Sequence, residues 1–371
     1  MARVAIIGAG PAGASAARHL AARGHDVTLI DRAEFPRPKT CGDWITLGSV
    51  AELQRLGLSR TDLERLAVHR APITGTVLVA PDGRRTMSTG RAVAYCIPRL
   101  VFDAMLWRHA VGAGCRPVRR NVRDIGAGDG AFLRDWDHVI DARGTQAGDP
   151  NAVALRAYWT VRRDTLDAGE EALVQIHTDA LFRRGYGWIF PVSGDAETMR
   201  FNVGVGLWAG DSRPGRHVRD FYDRFVEHNP VLRRWSPAAA RERPVGCHVG
   251  LGVGSNVVAA RGVLRIGDAA NLADPLTGDG IGNALASGRL VADAIDGSAD
   301  GAAAAARWQA LHDESFVREF RIALTIRRAL TATTAKNAAA RLLAAVPCAR
   351  ARVHAAFFGE ASYGSIATFQ R

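Results

Sequence analysis

Near the start of the chain, Arg3 to Ile7 is apolar after its first residue and rich in β-branched side chains. Gly8-Ala9-Gly10-Pro11-Ala12-Gly13 follows, then an alanine-rich stretch to Arg23 and a stop at Gly24. This pattern predicts a strand, a tight turn and a helix, and Asp26 to Ile30 predicts a second strand ending at Asp31. Residues 73–95 alternate around Pro81-Asp82-Gly83 as a hairpin does. Residues 149–257 hold further alternating strands, with turn signals at Gly185, Ser193-Gly194-Asp195 and Gly210-Asp211. In Tyr186-Gly187-Trp188-Ile189-Phe190-Pro191, alternation places the three aromatic rings on one face. Another short strand, Gly262 to Ile266, leads into Gly267-Asp268-Ala269-Ala270, a turn through Gly282, and a helix from Asn283 to about Ile295. Beyond Asp300 the chain is helix-rich.

The expected fold is α/β, with a discontinuous Rossmann-like domain assembled from residues 1–72, 96–148 and 258–298. An antiparallel sheet domain from 73–95 and 149–257 covers it, and residues 299–371 form a helical C-terminal region.

With 371 residues, 47% hydrophobic and 23% charged, the chain has material for two packed units and a smaller appendage. No apolar run approaches the roughly 18 to 20 residues of a bilayer span. Arg3 interrupts the N-terminal run too early for a secretion signal. The expected location is cytoplasmic, with peripheral attachment to a membrane as a variant. Cys41, Cys96, Cys115, Cys247 and Cys348 contain no CxxC pair, which argues against a disulfide framework, a zinc site or an iron-sulfur cluster.

The formal charge of +11 is almost entirely arginine, since Lys39 and Lys336 are the two lysines. It is spread along the chain rather than gathered in a basic arm, so a nucleic-acid partner is not expected. Diphosphate-bearing ligands or an acidic carrier protein suit it better. The arginines after Asp300 are read as the solvated face of helices packed on the catalytic unit, with a membrane-surface helix as the alternative.

Glycines are needed where backbone turns sharply, approaches a pyrophosphate, and packs helix on strand; an acid after the second strand accepts from ribose hydroxyls. Gly8, Gly10, Gly13 and Asp31 fill those roles, with Arg32 beside them as a further cofactor contact. The choice between FAD and NAD stays open on these residues alone.

Further motifs narrow it. Gly267-Asp268-Ala269-Ala270 followed by Asp274-Pro275-Leu276-Thr277-Gly278-Asp279-Gly280-Ile281-Gly282 resembles the GDAA and PxxGxGI segments of the para-hydroxybenzoate hydroxylase superfamily of FAD enzymes. Arg99 to Asp103 with Leu106 resembles its RxxFDxxL stretch. Phe35-Pro36-Arg37-Pro38-Lys39-Thr40-Cys41-Gly42 is similar to the FPRxKxCG loop of the geranylgeranyl reductase branch, Tyr186 to Pro191 to its YxWxFP motif, and Arg156-Ala157-Tyr158 to its RxY pattern.

The resemblance implies FAD, with Asp268 on the ribityl or ribose portion, and Gly278, Gly280, Ile281 and Gly282 laying backbone against the isoalloxazine. It also implies a helix N-terminus there facing the reduced ring, Arg99 reaching FAD, and Cys41, Tyr186 and Trp188 at the reactive face, with Asp43 as another proton source. The implied reaction is hydride transfer between reduced flavin and a carbon-carbon double bond of a prenyl or similar apolar substrate, fed by NAD(P)H or ferredoxin. An FAD monooxygenase or a dehydrogenase is the alternative. A halogenase is disfavoured by the scarcity of lysine and by Tyr186 at the first aromatic position, and a non-catalytic carrier by the intact flavin segments. The chain departs from the branch in having Arg183 where a proline often stands, and in Asp141-Ala142-Arg143-Gly144 after a central strand.

Overall fold

The computed structural model describes residues 1–66, 73–123, 125, 134–178, 181–182, 184–208, 217–252, 257–357 and 359–367. The first half of the chain comprises β1 (Arg3–Ile7), α1 (Pro11–Ala21), β2 (Asp26–Asp31), β3 (Trp44–Ile45), α2 (Leu47–Arg55), α3 (Arg60–Leu66), β4 (Ile73–Val79), β5 (Arg85–Cys96), α4 (Arg99–Gly112), β6 (Arg116–Arg119) and β7 (His138–Asp141). The second half continues with β8 (Ala152–Arg162), β9 (Leu173–His177), β10 (Gly185–Gly194), β11 (Thr198–Trp208), α5 (Val218–His228), α6 (Pro230–Trp235), β12 (Ala240–Arg241), β13 (Val245–Val249), β14 (Ala259–Ala260) and β15 (Val263–Arg265). The helices α7 (Ile281–Asp296), α8 (Gly301–His312), α9 (Arg318–Ala329), α10 (Thr333–Ala345) and α11 (Pro347–Phe357) follow.

One sheet runs in the order β14-β15-β7-β1-β2-β6 and is parallel except for the β14–β15 pair. Its central strand is apolar without alternation because both faces are covered, and Val4 to Ile6 are fully buried. Helix α7 meets α1 closely: a Cβ on Gly288 would stand 2.5 Å from the Ala12 carbonyl oxygen. The small residues of α1 thereby serve packing as well as the turn before it.

The second sheet runs β12-β8-β11-β10-β9-β4-β5-β3, with β13 also paired to β8. Alternation divides β10 cleanly. Ile189 faces a core containing Trp159, Phe201, Phe225 and Trp235, whereas Trp188 and Phe190 face the opposite side.

Three features differ from the expectation. Although β3 lies within residues 1–72, it pairs with Tyr95 and Cys96 of β5 and so joins the second sheet. That sheet is not antiparallel throughout, because β4 runs parallel to β9; alternation reports which face a side chain takes, not the direction of a distant neighbour. Residues 149–257 also contain α5 and α6, whose Val218, Tyr222, Phe225 and Trp235 close the back of the sheet.

The C-terminal region is divided as well. Trp308 of α8 lies in the core beneath the first sheet, while residues of α10 and α11 line the cavity described below. The turn expected at Gly210-Asp211 and the position of Arg183 fall outside the described residues. Among the described residues, no helix is long and apolar enough to cross a membrane.

Candidate active site

A cavity of about 1180 Å³ runs from the β1–α1 turn, past the Cys41 loop and β10, to α10 and α11. At its first end, Gly8 has φ +106°, and a Cβ there would lie 2.2 Å from the Ala142 carbonyl oxygen. A Cβ on Gly13 would lie 1.8 Å from the Gly8 oxygen, so this glycine sets helix against strand behind the cavity wall. Gly10 caps α1 with no side chain in the way, which leaves the helix N-terminus open beside Gly8, Gly10 and Ala12. Backbone N–H groups and the helix dipole there favour a pyrophosphate. Asp31 Oδ2 accepts from Ala9 N at 2.8 Å and Oδ1 from Ala33 N at 2.9 Å, fixing the carboxylate at the cavity edge next to Arg32.

Asp268 follows β15 on a tight turn and faces Lys39, with Oδ2 to Nζ at 3.5 Å. Both side chains line the cavity, as do Gly278, Gly280 and Ile281. Gly278 has φ +73°, and a Cβ on it would stand 3.1 Å from the Tyr186 hydroxyl. That hydroxyl donates to the Thr277 carbonyl at 2.5 Å, so the aromatic strand is joined to the glycine turn.

Two expectations about this turn need correction. Gly282 does not face the cavity: a Cβ there would meet Ser49 Oγ at 3.1 Å, so it lets α7 approach α2. The N-terminus of α7 is also not open toward a ring system. Asp279 Oδ1 accepts from Ile281 N at 3.1 Å, and Thr46 Oγ1 donates to Oδ2 at 2.8 Å. Asp279 itself lines the cavity, with its carboxyl pushed up by burial and by the neighbouring charge of Asp274. Its position between two motif glycines conceals it in the sequence, where it occupies an unspecified position.

Arg99 begins α4 and lines the cavity, but its guanidinium fork closes on Asp103 at 2.6 and 2.8 Å instead of extending freely toward a cofactor. Arg37 adds a second cation to Asp103 at 3.2 Å. The charge of Arg99 also acts on the Cys41 thiol. Burial pushes the Cys41 thiol up, against the opposing charge of Arg99, so the protonated form is favoured at neutral pH.

Cys41, Tyr186 and Trp188 all line this cavity, although the loop and the strand are far apart in the chain. Asn202 of β11 joins them. Trp188 Nε1 donates to Asn202 Oδ1 at 2.9 Å, while Asn202 Nδ2 donates to the Cys41 carbonyl at 2.7 Å and to Asp43 Oδ2 at 2.8 Å. Asp43, fully buried at φ +65°, also accepts from the Tyr158 hydroxyl at 2.5 Å and from Arg99 N at 3.2 Å. The RxY pattern thereby acquires a physical content: Arg156 and Arg200 stand 4.0 and 3.9 Å from the Tyr158 ring on the β8–β11 surface. A Cβ on Gly204 would lie 2.3 Å from Trp188 Cζ2, so the indole lies directly against β11. The signal for Asn202 in the sequence is a lone amide in the stretch Phe201 to Trp208, whose other residues are apolar or glycine.

The residues present fit FAD. An open helix N-terminus, an anchored acid at the end of β2, and a second glycine turn with Asp268 all border one elongated cavity.

Comparisons with known proteins support an FAD-dependent enzyme. The family model for FAD dependent oxidoreductases matches residues 3–43. A menaquinone reductase of Mycolicibacterium smegmatis is 30% identical, covering 88% of this chain and 84% of the relative. A digeranylgeranylglycerophospholipid reductase of Methanopyrus kandleri is 32% identical, covering 86% and 84%. Among solved structures, a geranylgeranyl bacteriochlorophyll reductase-like protein of Thermoplasma acidophilum aligns with TM-score 0.70 at 21% identity, covering 89% of this chain and 87% of that one. A flavin-dependent brominase aligns with TM-score 0.70 at 19%, covering 96% and 93%, and shows that halogenases share the fold. The chain belongs to the geranylgeranyl reductase family of FAD-dependent oxidoreductases.

Proposed function

We propose that this enzyme reduces a carbon-carbon double bond in a substrate bearing an isoprenoid chain. The observation that carries the reading is the enclosure of one apolar space by Cys41, Tyr186 and Trp188 opposite the Gly278 turn. Bound reduced FAD supplies the hydride, and the protein supplies position, exclusion of water and a proton.

The Trp188, Asn202 and Cys41 chain of hydrogen bonds holds the loop against the aromatic wall. Cys41 keeps its proton through burial and, lining the cavity, would be the group that gives it to the substrate. Asp43 is a positioning residue, because Tyr158, Asn202 and Arg99 N hold its carboxylate behind the loop rather than in the cavity. Asp279 is a second acid at the cavity wall, and burial favours its protonated form.

The substrate is apolar, as the names of the reductase relatives suggest. Between Arg318 and Phe357 eight basic side chains accompany a single acidic one, Glu319, and this arginine-rich region suits peripheral contact with an anionic lipid surface or an acidic carrier. The external reductant is a nicotinamide cofactor or ferredoxin.

The test is stopped-flow absorbance under anaerobic conditions. Dithionite-reduced holoenzyme mixed with a polyprenyl alkene reoxidises its flavin in step with loss of the alkene. Flavin that remains reduced across prenyl alcohols, prenyl quinones and prenyl lipids rules the reading out.

A further inference from the structure

Arg156 is the residue of the RxY pattern to which the hydride and proton transfers give no task. It lies on β8 with Ala152 and Ala154 at the alternate positions before it, and all three line the cavity. Across the sheet, Arg156 stands opposite Gly204, and Gly204 opposite Trp188. Because Gly204 has no side chain and the indole lies over it, Arg156 and Trp188 border the same stretch of wall.

The guanidinium is held in place but not satisfied. Its carbon lies 4.0 Å from the centre of the Tyr158 ring, whose hydroxyl is fixed by Asp43, so one face of the fork is covered. Nε is buried without a partner. The two Nη atoms make no hydrogen bond or ion pair among the described residues either, yet they are not buried, so their free edge opens on the cavity. The neighbouring cations differ: Arg37 and Arg99 close on Asp103, Lys39 on Asp268 and Arg200 on Glu242.

Asp43 feels the charge of Arg156 but makes no ion pair with it, its oxygens being taken up by Tyr158, Asn202 and Arg99 N. Cys247, opposite Ala154 on β13, adds no countercharge, since burial pushes its thiol up to about 11. A planar fork with a covered face and an open edge matches two oxygens of a phosphate or carboxylate. A cation set in a wall of alanine and indole calls for an opposite charge rather than a neutral carbonyl. Val245, opposite Arg156 on β13, is 47% exposed, so this part of the wall adjoins solvent and an anionic group reaches it without crossing the apolar interior.

We propose that Arg156 anchors an anionic oxygen group, phosphate or carboxylate, at the polar end of the isoprenoid substrate, whose chain runs from there along the aromatic wall of Trp188 and Tyr186. The inference rests on the reductase reading and narrows it to substrates that carry a negative charge.

Arg156→Met and Arg156→Lys in the FAD-loaded full chain provide the test, with binding to oxidised holoenzyme measured by equilibrium dialysis. Probes are a C20 prenyl diphosphate, a C20 prenyl ether of glycerol phosphate, a C20 prenyl carboxylic acid, a prenylated naphthoquinone and a C20 prenyl alcohol. The wild type should bind the anionic probes more tightly than the alcohol, with an affinity that falls as salt rises. Arg156→Met keeps an apolar stem over Tyr158. It should weaken the anionic probes about tenfold or more, reduce their salt dependence, and leave the alcohol and the quinone within about twofold. Arg156→Lys, which keeps the charge but not the fork, should fall between the two. The anionic probe that loses most identifies the natural group as phosphate or carboxylate. FAD retention and the affinity of the bound flavin for sulfite, which reports charge at the ring, should match the wild type in both variants.

Equal weakening of every probe, or no weakening of the anionic ones, overturns the anchor. So does a wild type that binds the anionic probes no better than the alcohol. Lost FAD or a shifted sulfite affinity in Arg156→Met assigns the cation to the cofactor and overturns the anchor as well. Anchored binding without anaerobic reoxidation of the reduced flavin overturns the reductase reading and leaves the anchor standing.

Discussion

Asn202 donates a hydrogen bond to the backbone carbonyl of Cys41 at 2.7 Å across 161 positions of sequence. The same side chain accepts from Trp188 Nε1, so a single amide sets the spacing between the loop and the aromatic wall. Asn202→Leu removes all three bonds of that amide and leaves the indole N–H and the Asp43 carboxylate short of a partner. A lost buried partner is worth about 1–3 kcal/mol. The expected outcome is flavin reoxidation slowed about tenfold or more in single turnover, with FAD retained. Equal rates in variant and wild type would show that the loop needs no such tie.

Asp268 is the test of the cofactor cradle. Asp268→Ala removes an acceptor whose charge-assisted hydrogen bond is worth about 1.5–3 kcal/mol, and leaves Lys39 without its 3.5 Å partner. FAD affinity should fall at least tenfold, read from flavin released on gel filtration and on titration of the apoprotein. Unaltered retention would place the ribityl and ribose contacts elsewhere.

His177 on β9 provides a pH signature independent of turnover. Burial, reinforced by the charge of Arg85, holds its pKa at about 3 against the usual 6.5 of a histidine. Asn229 Nδ2 donates to its Nδ1 at 3.0 Å. Because the unfolded chain binds this proton more readily, the contribution to stability is complete above pH 6.5 and declines as pH falls toward 3. His177→Gln abolishes that titration. The wild type should lose stability relative to the variant, on the order of several kcal/mol in full, over this acid range. Urea midpoints that run parallel from pH 7 to pH 4 would contradict a neutral buried imidazole.

The parts of this architecture legible in the chain are those written in local chemistry. Gly8, Gly13 and Asp31 lie within one strand-turn-helix-strand unit, and each does locally what its residue type requires. The face shared by Trp188 and Phe190 follows from period-two alternation and needs no knowledge of the rest of the sheet. Asn202 was not legible, because its importance arises from the antiparallel pairing that sets it opposite Phe190 and beneath the Cys41 loop. Gly282 misled for the converse reason: its motif position suggests the ring system, whereas the approach of α2 decides its contact. The hydrogen bond of Thr46 to Asp279, like the parallel pairing of β4 with β9, likewise depends on how segments assemble.

The most direct test of the central claim is the mass of the product formed without oxygen. Dithionite-reduced holoenzyme, freed of excess reductant and incubated anaerobically with a polyprenyl substrate in deuterated water, should oxidise one flavin for each double bond lost. The product should gain two hydrogen equivalents, carried as deuterium at both carbons, because the N5 hydrogen of reduced flavin and the acidic proton of the protein both exchange with solvent. A flavin that stays reduced until oxygen is admitted, with a product that then gains one oxygen atom, would contradict the account and establish an oxygenase.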